Sequence, residues 1–163
     1  MKNHSFLHPE TKHMRSILIL IGVLFVLSAC KTYSEEDKTT FDQKIEKYIA
    51  GSKRKYEKSE TGLYYAIEKP GTGEFIKYTD EVTFMYTGRL LSGQVFDQKF
   101  SRKPVTFRVS ELIQGWQEVM LYMKKDGKAH LIVPPQLGYG DYELDHIPPN
   151  SVLLFDIEIT DVR

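Results

Sequence analysis

The chain has 163 residues, in which 22 Lys and Arg are balanced by 22 Asp and Glu, with five histidines and a single cysteine. A net charge of zero gives no electrostatic footprint for nucleic acid, and one cysteine excludes a disulfide within the chain. The length suits about one domain, large enough to bury most of its apolar surface.

Residues 1–29 read as a secretory signal. Lys2, Lys12 and Arg15 precede the apolar run Ile17 to Leu27, which ends in Ser28-Ala29 and is about half a dozen residues too short to span a bilayer comfortably. Met14 also fits as a start, because Met14-Arg15 supplies a compact basic segment. Cys30 follows directly, either as a chance cysteine beside an ordinary cleavage site or as part of a motif. Leu27-Ser28-Ala29-Cys30 resembles the bacterial lipobox, whose cysteine becomes the acylated first residue of the mature chain. Several acyl chains, palmitate among them, at about 0.8 kcal/mol per buried methylene anchor stably where one chain is marginal. That resemblance implies a lipoprotein of the bacterial cell envelope, on its periplasmic or its surface face. Lys31 is not an inner-membrane retention aspartate, and Glu35-Glu36-Asp37 loosely resembles tags that send some lipoproteins to the cell surface. Without residues 1–29 the chain keeps 19 basic and 21 acidic residues, a net of −2.

Residues 30–61 read as a charged, lipid-anchored tether containing a short helix. Phe41, Ile45, Tyr48 and Ile49 recur at i, i+4, i+7 and i+8, one apolar stripe. A helix of about a dozen residues is marginal alone, so it must dock on its own domain, on a second copy or on a partner. At Gly62 the pattern changes to period two and a domain over 62–163 begins. Leu63 to Lys69 reads as a strand closed by Pro70-Gly71-Thr72-Gly73. Val82, Phe84 and Tyr86 mark the buried face of the next strand, Ser92-Gly93 turns the chain, and Gln94 to Asp97 returns. Pro104 precedes an alternating strand with Val105, Phe107 and Val109 on one face. Ser110 is a plausible N-cap for a helix that carries Ile113, Trp116, Val119, Met120 and Met123 on one stripe and stops at Asp126-Gly127. Ala129 to Val133 reads as a buried strand closed by Pro134-Pro135, and Leu153, Phe155, Ile157 and Ile159 line one face of the last strand. The sum is an α+β domain, a twisted antiparallel β-sheet wrapped on one amphipathic α-helix.

The short pieces Tyr86-Thr87-Gly88, Phe96-Asp97, Ile113-Gln114-Gly115-Trp116, Leu137-Gly138-Tyr139-Gly140, Ile147-Pro148-Pro149 and Leu154-Phe155-Asp156 are individually common. In this order, each on the element it requires, they resemble the FK506-binding-protein (FKBP) type of peptidyl-prolyl isomerase domain. The resemblance implies an aromatic pocket for an X-Pro segment, with Trp116 as the floor beneath the proline ring. Tyr86, Phe96, Phe107, Leu112, Ile113 and Phe155 would form the walls, and Ile147 would come from the loop above. The Ile113 backbone N–H and the Tyr139 hydroxyl would hold substrate carbonyls, and Asp97 would bond Tyr86 or the substrate's edge. It implies no cofactor and no metal, proline-containing polypeptides as clients, and an FK506-like macrolide as a possible pocket ligand.

Physics agrees with such a pocket. Rotation about an X-Pro bond meets a barrier of about 18–20 kcal/mol because the amide is resonance-stabilised. Twisting reduces the charge separation between oxygen and nitrogen, so a dry apolar site favours the twisted amide and needs no base or nucleophile. The expected function is therefore X-Pro isomerisation in exported proteins. The alternative is a proline-segment binding module or chaperone with incidental turnover. Other chemistries fit poorly: there is no Gly-x-Ser-x-Gly, and His130 and His146 lack partners at metal-ligand spacing. Three departures from the family's pattern stand out. Val105 replaces an aromatic residue, Arg102 is only a candidate for a pocket-edge arginine, and Asp141-Tyr142-Glu143-Leu144-Asp145-His146 replaces a glycine-rich loop and lays acids along the rim.

Overall fold

A computed structural model describes residues 33–100 and 103–163. The apolar run before Ala29, Cys30 and Arg102 lie outside these residues. Residues Ser34 to Arg163 form one compact unit.

Helix α1 spans Glu35–Ile49. Ser34 starts it with a reciprocal capping box: its hydroxyl accepts the Asp37 N–H at 3.1 Å, and its own N–H donates to the Asp37 carboxylate at 3.0 Å. The acids Glu35, Glu36 and Asp37 thus occupy the first turn, where the helix dipole favours negative charge. Phe41 and Ile45, two of the four stripe residues, are buried.

Seven antiparallel strands follow: β1 Glu57–Lys58, β2 Tyr64–Lys69, β3 Glu81–Leu90, β4 Val95–Lys99, β5 Val105–Arg108, β6 Lys128–Val133 and β7 Leu153–Val162. Their order is β1-β2-β6-β7-β3-β4, and β5 also pairs with β3. One edge of β3 is shared, with β5 along residues 81–84 and β4 along 86–89. Phe84 and Tyr86 flank the junction where one partner gives way to the other.

Alternation sorts the sheet into two faces. Val82 and Phe84 of β3, Ala129, Leu131 and Val133 of β6, and Leu153, Phe155, Ile157 and Ile159 of β7 join one buried core with Trp116, Val119 and Met120. Tyr64, Ala66, Ile132 and Leu154 point the other way and are buried as well. Helix α1 lies on that second face: Asp42 meets Lys58 at 2.5 Å, and the Lys58 ammonium stands 5.2 Å from the Tyr64 ring. Of the three docking modes open to the helix, it uses its own chain.

The crossover helix differs from expectation. Val109–Glu111 form a 3-10 turn whose N-cap is Arg108, not Ser110, and helix α2 is only Gln114–Met120, with Ile113 as N-cap. Leu112 and Ile113 between them are extended, with ψ of 165° and 151°. The Gln117 amide explains the break, because it donates to Ser110 O at 3.2 Å and Leu112 O at 2.6 Å, taking over partners a continuous helix would supply. At the other end, Leu121, Tyr122 and Met123 donate to the carbonyls three residues earlier, which tightens the chain and still buries Met123. Gly115 lets the helix sit close on the sheet, since a Cβ there would lie 2.9 Å from Val133 Cγ1.

Strand β5 is the second difference. Val109 is fully buried, but Phe107 is 45% exposed, because its face opens on a cavity rather than a filled core.

On the second face a row of paired polar side chains crosses four strands. Arg89 of β3 pairs with Asp156 of β7, Asp156 with Nδ1 of His130 on β6, and Nε2 of His130 lies 2.8 Å from Glu68 of β2. Arg54 closes the row at 3.0 Å from Glu68. The Asp156 carboxyl is held down to about 2 from 3.8, first by its hydrogen bond to His130 and, against the opposing effect of burial, by Arg89. A folded-state value below the unfolded one means that this stabilisation is complete above about pH 4 and fades as pH falls toward about 2. Asp156→Asn is therefore expected to lower stability in urea unfolding at neutral pH and to flatten its decline between those two pH values. An acid limb identical to that of the parent chain would contradict the role given to this row.

Candidate active site: an aromatic pocket

At the end of the sheet where α2 meets β3 and β7, a cavity of about 540 Å³ opens between the core and the loop after Tyr139. That size lies within the range typical of small-ligand sites.

Trp116, the chain's one tryptophan, forms the floor and is 5% exposed. Three rings meet it edge to face: Phe155 at 4.9 Å and 87°, Tyr86 at 5.0 Å and 82°, and Phe84 at 5.1 Å and 71°. Phe96 stands perpendicular to Phe155 at 5.7 Å, and Phe107 lies 6.3 Å from Phe84. Perpendicular packing suits the ring quadrupoles and keeps the walls from collapsing into a stack. Gly88 belongs to this wall: a Cβ there would come within 2.6 Å of the Phe96 ring and 3.0 Å of Phe155.

Each strand supplies its wall by alternation, β3 through Phe84 and Tyr86, β4 through Phe96, β5 through Phe107 and β7 through Phe155. Leu112 and Ile113 come from the extended break held by Gln117, and Tyr139 and Ile147 from the loop that leads into β7. All ten residues expected in the pocket, counting Asp97 with the nine apolar and aromatic ones, line one cavity. Sequence reasoning missed Phe84, Leu144 and Glu111 as lining residues. Phe84 had a readable signal, since it lies two residues before Tyr86 on the same face. Val105, which stands where the family's pattern has an aromatic residue, is absent from the lining residues, and it pairs with Phe84 across the sheet.

The polar atoms are few and positioned. The Tyr86 hydroxyl donates to Asp97 Oδ2, while Asp97 Oδ1 accepts from Lys99 Nζ at 2.9 Å and from the Gln98 N–H at 2.7 Å. Burial opposes ionisation of Asp97, but those three donors together hold its carboxyl below the usual value. Burial first, and then the Asp97 charge, push both the Tyr86 and Tyr139 phenols up. The site thus carries an ionised carboxylate and two neutral phenols at neutral pH. Tyr86 is committed to Asp97. Among the described residues, nothing accepts from the Tyr139 hydroxyl or the Ile113 N–H, and the buried Trp116 Nε1 also has no partner. Free donors in an apolar cavity suit a ligand that brings carbonyl oxygens. Among the described residues no group of His, Cys, Asp and Glu has a metal-binding arrangement.

The comparisons with known proteins agree with this geometry. Residues 72–160 match the family model for FKBP-type peptidyl-prolyl cis-trans isomerase. The chain is 39% identical over 172 residues to the FKBP-type peptidyl-prolyl cis-trans isomerase FkpA of Buchnera aphidicola subsp. Schizaphis graminum, covering 89% of this chain and 68% of that one. It is 37% identical over 141 residues to FkpA of Escherichia coli K12, covering 85% and 52%. The chain therefore spans between half and about two thirds of the length of these relatives. The crystal structure of FkpA from Escherichia coli aligns with a TM-score of 0.69 at 33% identity, over 98% of this chain and 75% of that one. That of AtFKBP13 aligns with a TM-score of 0.61 at 37% identity, over 66% and 98%. This chain belongs to the FKBP-type peptidyl-prolyl cis-trans isomerases.

Proposed function

We propose that the chain rotates X-Pro bonds of exported polypeptides in the pocket above Trp116, and that acylated Cys30 tethers it to the bacterial envelope. The observation that carries the first part is the combination of a perpendicular aromatic box with donors that have no partner of their own. A proline ring rests on Trp116 between Tyr86, Phe96, Phe107 and Phe155, and Leu112 and Ile147 close over its flanks. The Ile113 N–H and the Tyr139 hydroxyl hold carbonyls on either side, so that the amide's ends are fixed while the bond between them turns.

The rate gain comes from differential stabilisation. The planar amide is polar and loses hydration in this cavity, whereas the twisted amide has lost resonance and much of its charge separation. A hydrogen bond from Tyr139 or Ile113 contributes to the rate only by the amount that it is better aligned in the twisted geometry than in the planar one. Asp97 acts on the wall rather than on the substrate, by holding the Tyr86 ring and hydroxyl in place. No proton needs to move.

The tether rests on the order Leu27-Ser28-Ala29-Cys30 and on the apolar run before it. Placement at the envelope would give the pocket access to polypeptides arriving unfolded with unresolved X-Pro bonds, for which unaided isomerisation takes tens of seconds or more.

In a peptide isomerisation assay, Tyr139→Phe is expected to lower kcat/KM about threefold to tenfold, the worth of one hydrogen bond, with the fold unchanged. Phe107→Ala removes an exposed wall and should act mainly on KM, and an FK506-like macrolide should compete with the peptide. Turnover compared in heavy and ordinary water should give a ratio near one, and a ratio of about two or more would reveal a proton in flight and sink the desolvation mechanism. For the tether, the parent chain should partition into detergent and Cys30→Ser into the aqueous phase. Equal partitioning of the two would remove the lipid anchor, and protease treatment of intact cells would tell the periplasmic from the surface face.

A further inference from the structure

We infer that the pocket selects X-Pro segments flanked by Lys or Arg, through a fixed acidic mouth formed by Asp145 and Glu111. The inference rests on the reading of the cavity as the X-Pro site and names the substrate class it prefers.

Three carboxylates line the cavity, those of Asp97, Glu111 and Asp145, and no Lys or Arg is among the described lining residues. Asp97 is spoken for by Tyr86 and Lys99. Glu111 and Asp145 form no ion pair among the described residues, and both are exposed. A solvated, mobile loop would spread such charge over many positions. Here the backbone prevents that. Leu144 and Ile147 exchange both hydrogen bonds, N to O at 3.1 Å and 2.9 Å, which makes Asp145-His146 the two-residue tip of a tight hairpin.

His146 takes the left-handed conformation this turn needs, with φ of 67°, and Ile147 roots the hairpin in the core at 6% exposure. The backbone at Glu111 is held from the other element of the mouth. It ends the 3-10 turn, and Gln117 holds the carbonyls of its neighbours Ser110 and Leu112. Glu143 on the same loop is exposed and adds to the field.

A proline seated on Trp116 puts the neighbouring residues of an extended peptide about 3.5 Å further along per residue, so their side chains pass this mouth. A cationic side chain there gains Coulomb energy from two carboxylates whose backbones are held at the mouth, and an anionic one is repelled, at distances within a Debye length in dilute salt. The neutral phenols and apolar walls contribute nothing that distinguishes the two.

The test uses peptides with one X-Pro core and Lys, Gln or Glu on both sides, at about 20 mM and about 500 mM salt. The expected order of kcat/KM is Lys, then Gln, then Glu, with about threefold to tenfold between the extremes at low salt and little at high salt. Asp145→Asn and Glu111→Gln should each shrink the Lys-to-Glu ratio, and Asp145→Lys should invert it. Peptide binding read from the fluorescence of Trp116 should show the same order. Because that readout needs no turnover, loss of turnover with the binding order intact would count against the isomerase reading alone. Equal kcat/KM and binding for Lys and Glu peptides at low salt, or an unchanged ratio in the double variant, would overturn the inference.

Discussion

The perpendicular seating of Trp116 against Phe84, Tyr86 and Phe155 is the constraint on which the rest depends. A tryptophan delivered from a helix of seven residues has little helical structure to hold it. Its position is set instead by what surrounds α2. Gly115 allows the helix to approach Val133 and Leu63 without a Cβ in the way. Gln117 ties off the carbonyls of the preceding break, which brings Leu112 and Ile113 to the rim of the same cavity. A longer helix would have satisfied more of its own backbone but would have withdrawn the Ile113 N–H from the pocket.

Function follows from having the floor fixed and the space above it empty. Most domains of this size would fill such a space with side chains, because an apolar cavity sacrifices packing contacts. Here β5 offers Phe107 half-exposed, and Gly88 leaves room for Phe96 and Phe155 to stand at right angles. Polar groups are kept to those that fix geometry. Asp97 is ionised by three donors and spends that charge on Tyr86, leaving Tyr139 as the free hydroxyl.

The two faces of the sheet are linked by strand alternation. Phe155 walls the pocket while its neighbour Asp156 anchors the charge row behind it, and Gly88 and Arg89 stand in the same relation on β3. Helix α1 and the Arg54 segment cover the rear face and reach Lys58 and Glu68. The strands that shape the pocket are therefore backed by charge pairing and by a docked helix.

The amino-acid sequence by itself determined the period-two strands and the apolar faces, because alternation and helical spacing are local and each face must be buried, while the pocket aromatics were legible only through the order of motifs that carries the family resemblance. Phe41 and Ile45 were legible as a stripe for the same reason, though the surface they meet was not. Spacing alone could not reveal that the helix breaks after Glu111, since Gln117 competes for those carbonyls only once the turn has formed. Nor could it show Phe107 facing an opening rather than a core, because the period of a strand is the same in both cases. The pairing of His130 with Glu68 and Asp156 was not legible, because these residues are distant in the chain and strand pairing alone brings them together. That Asp145 stands at the tip of a hairpin lining the pocket was likewise decided by tertiary structure, through the backbone bonds of Leu144 and Ile147.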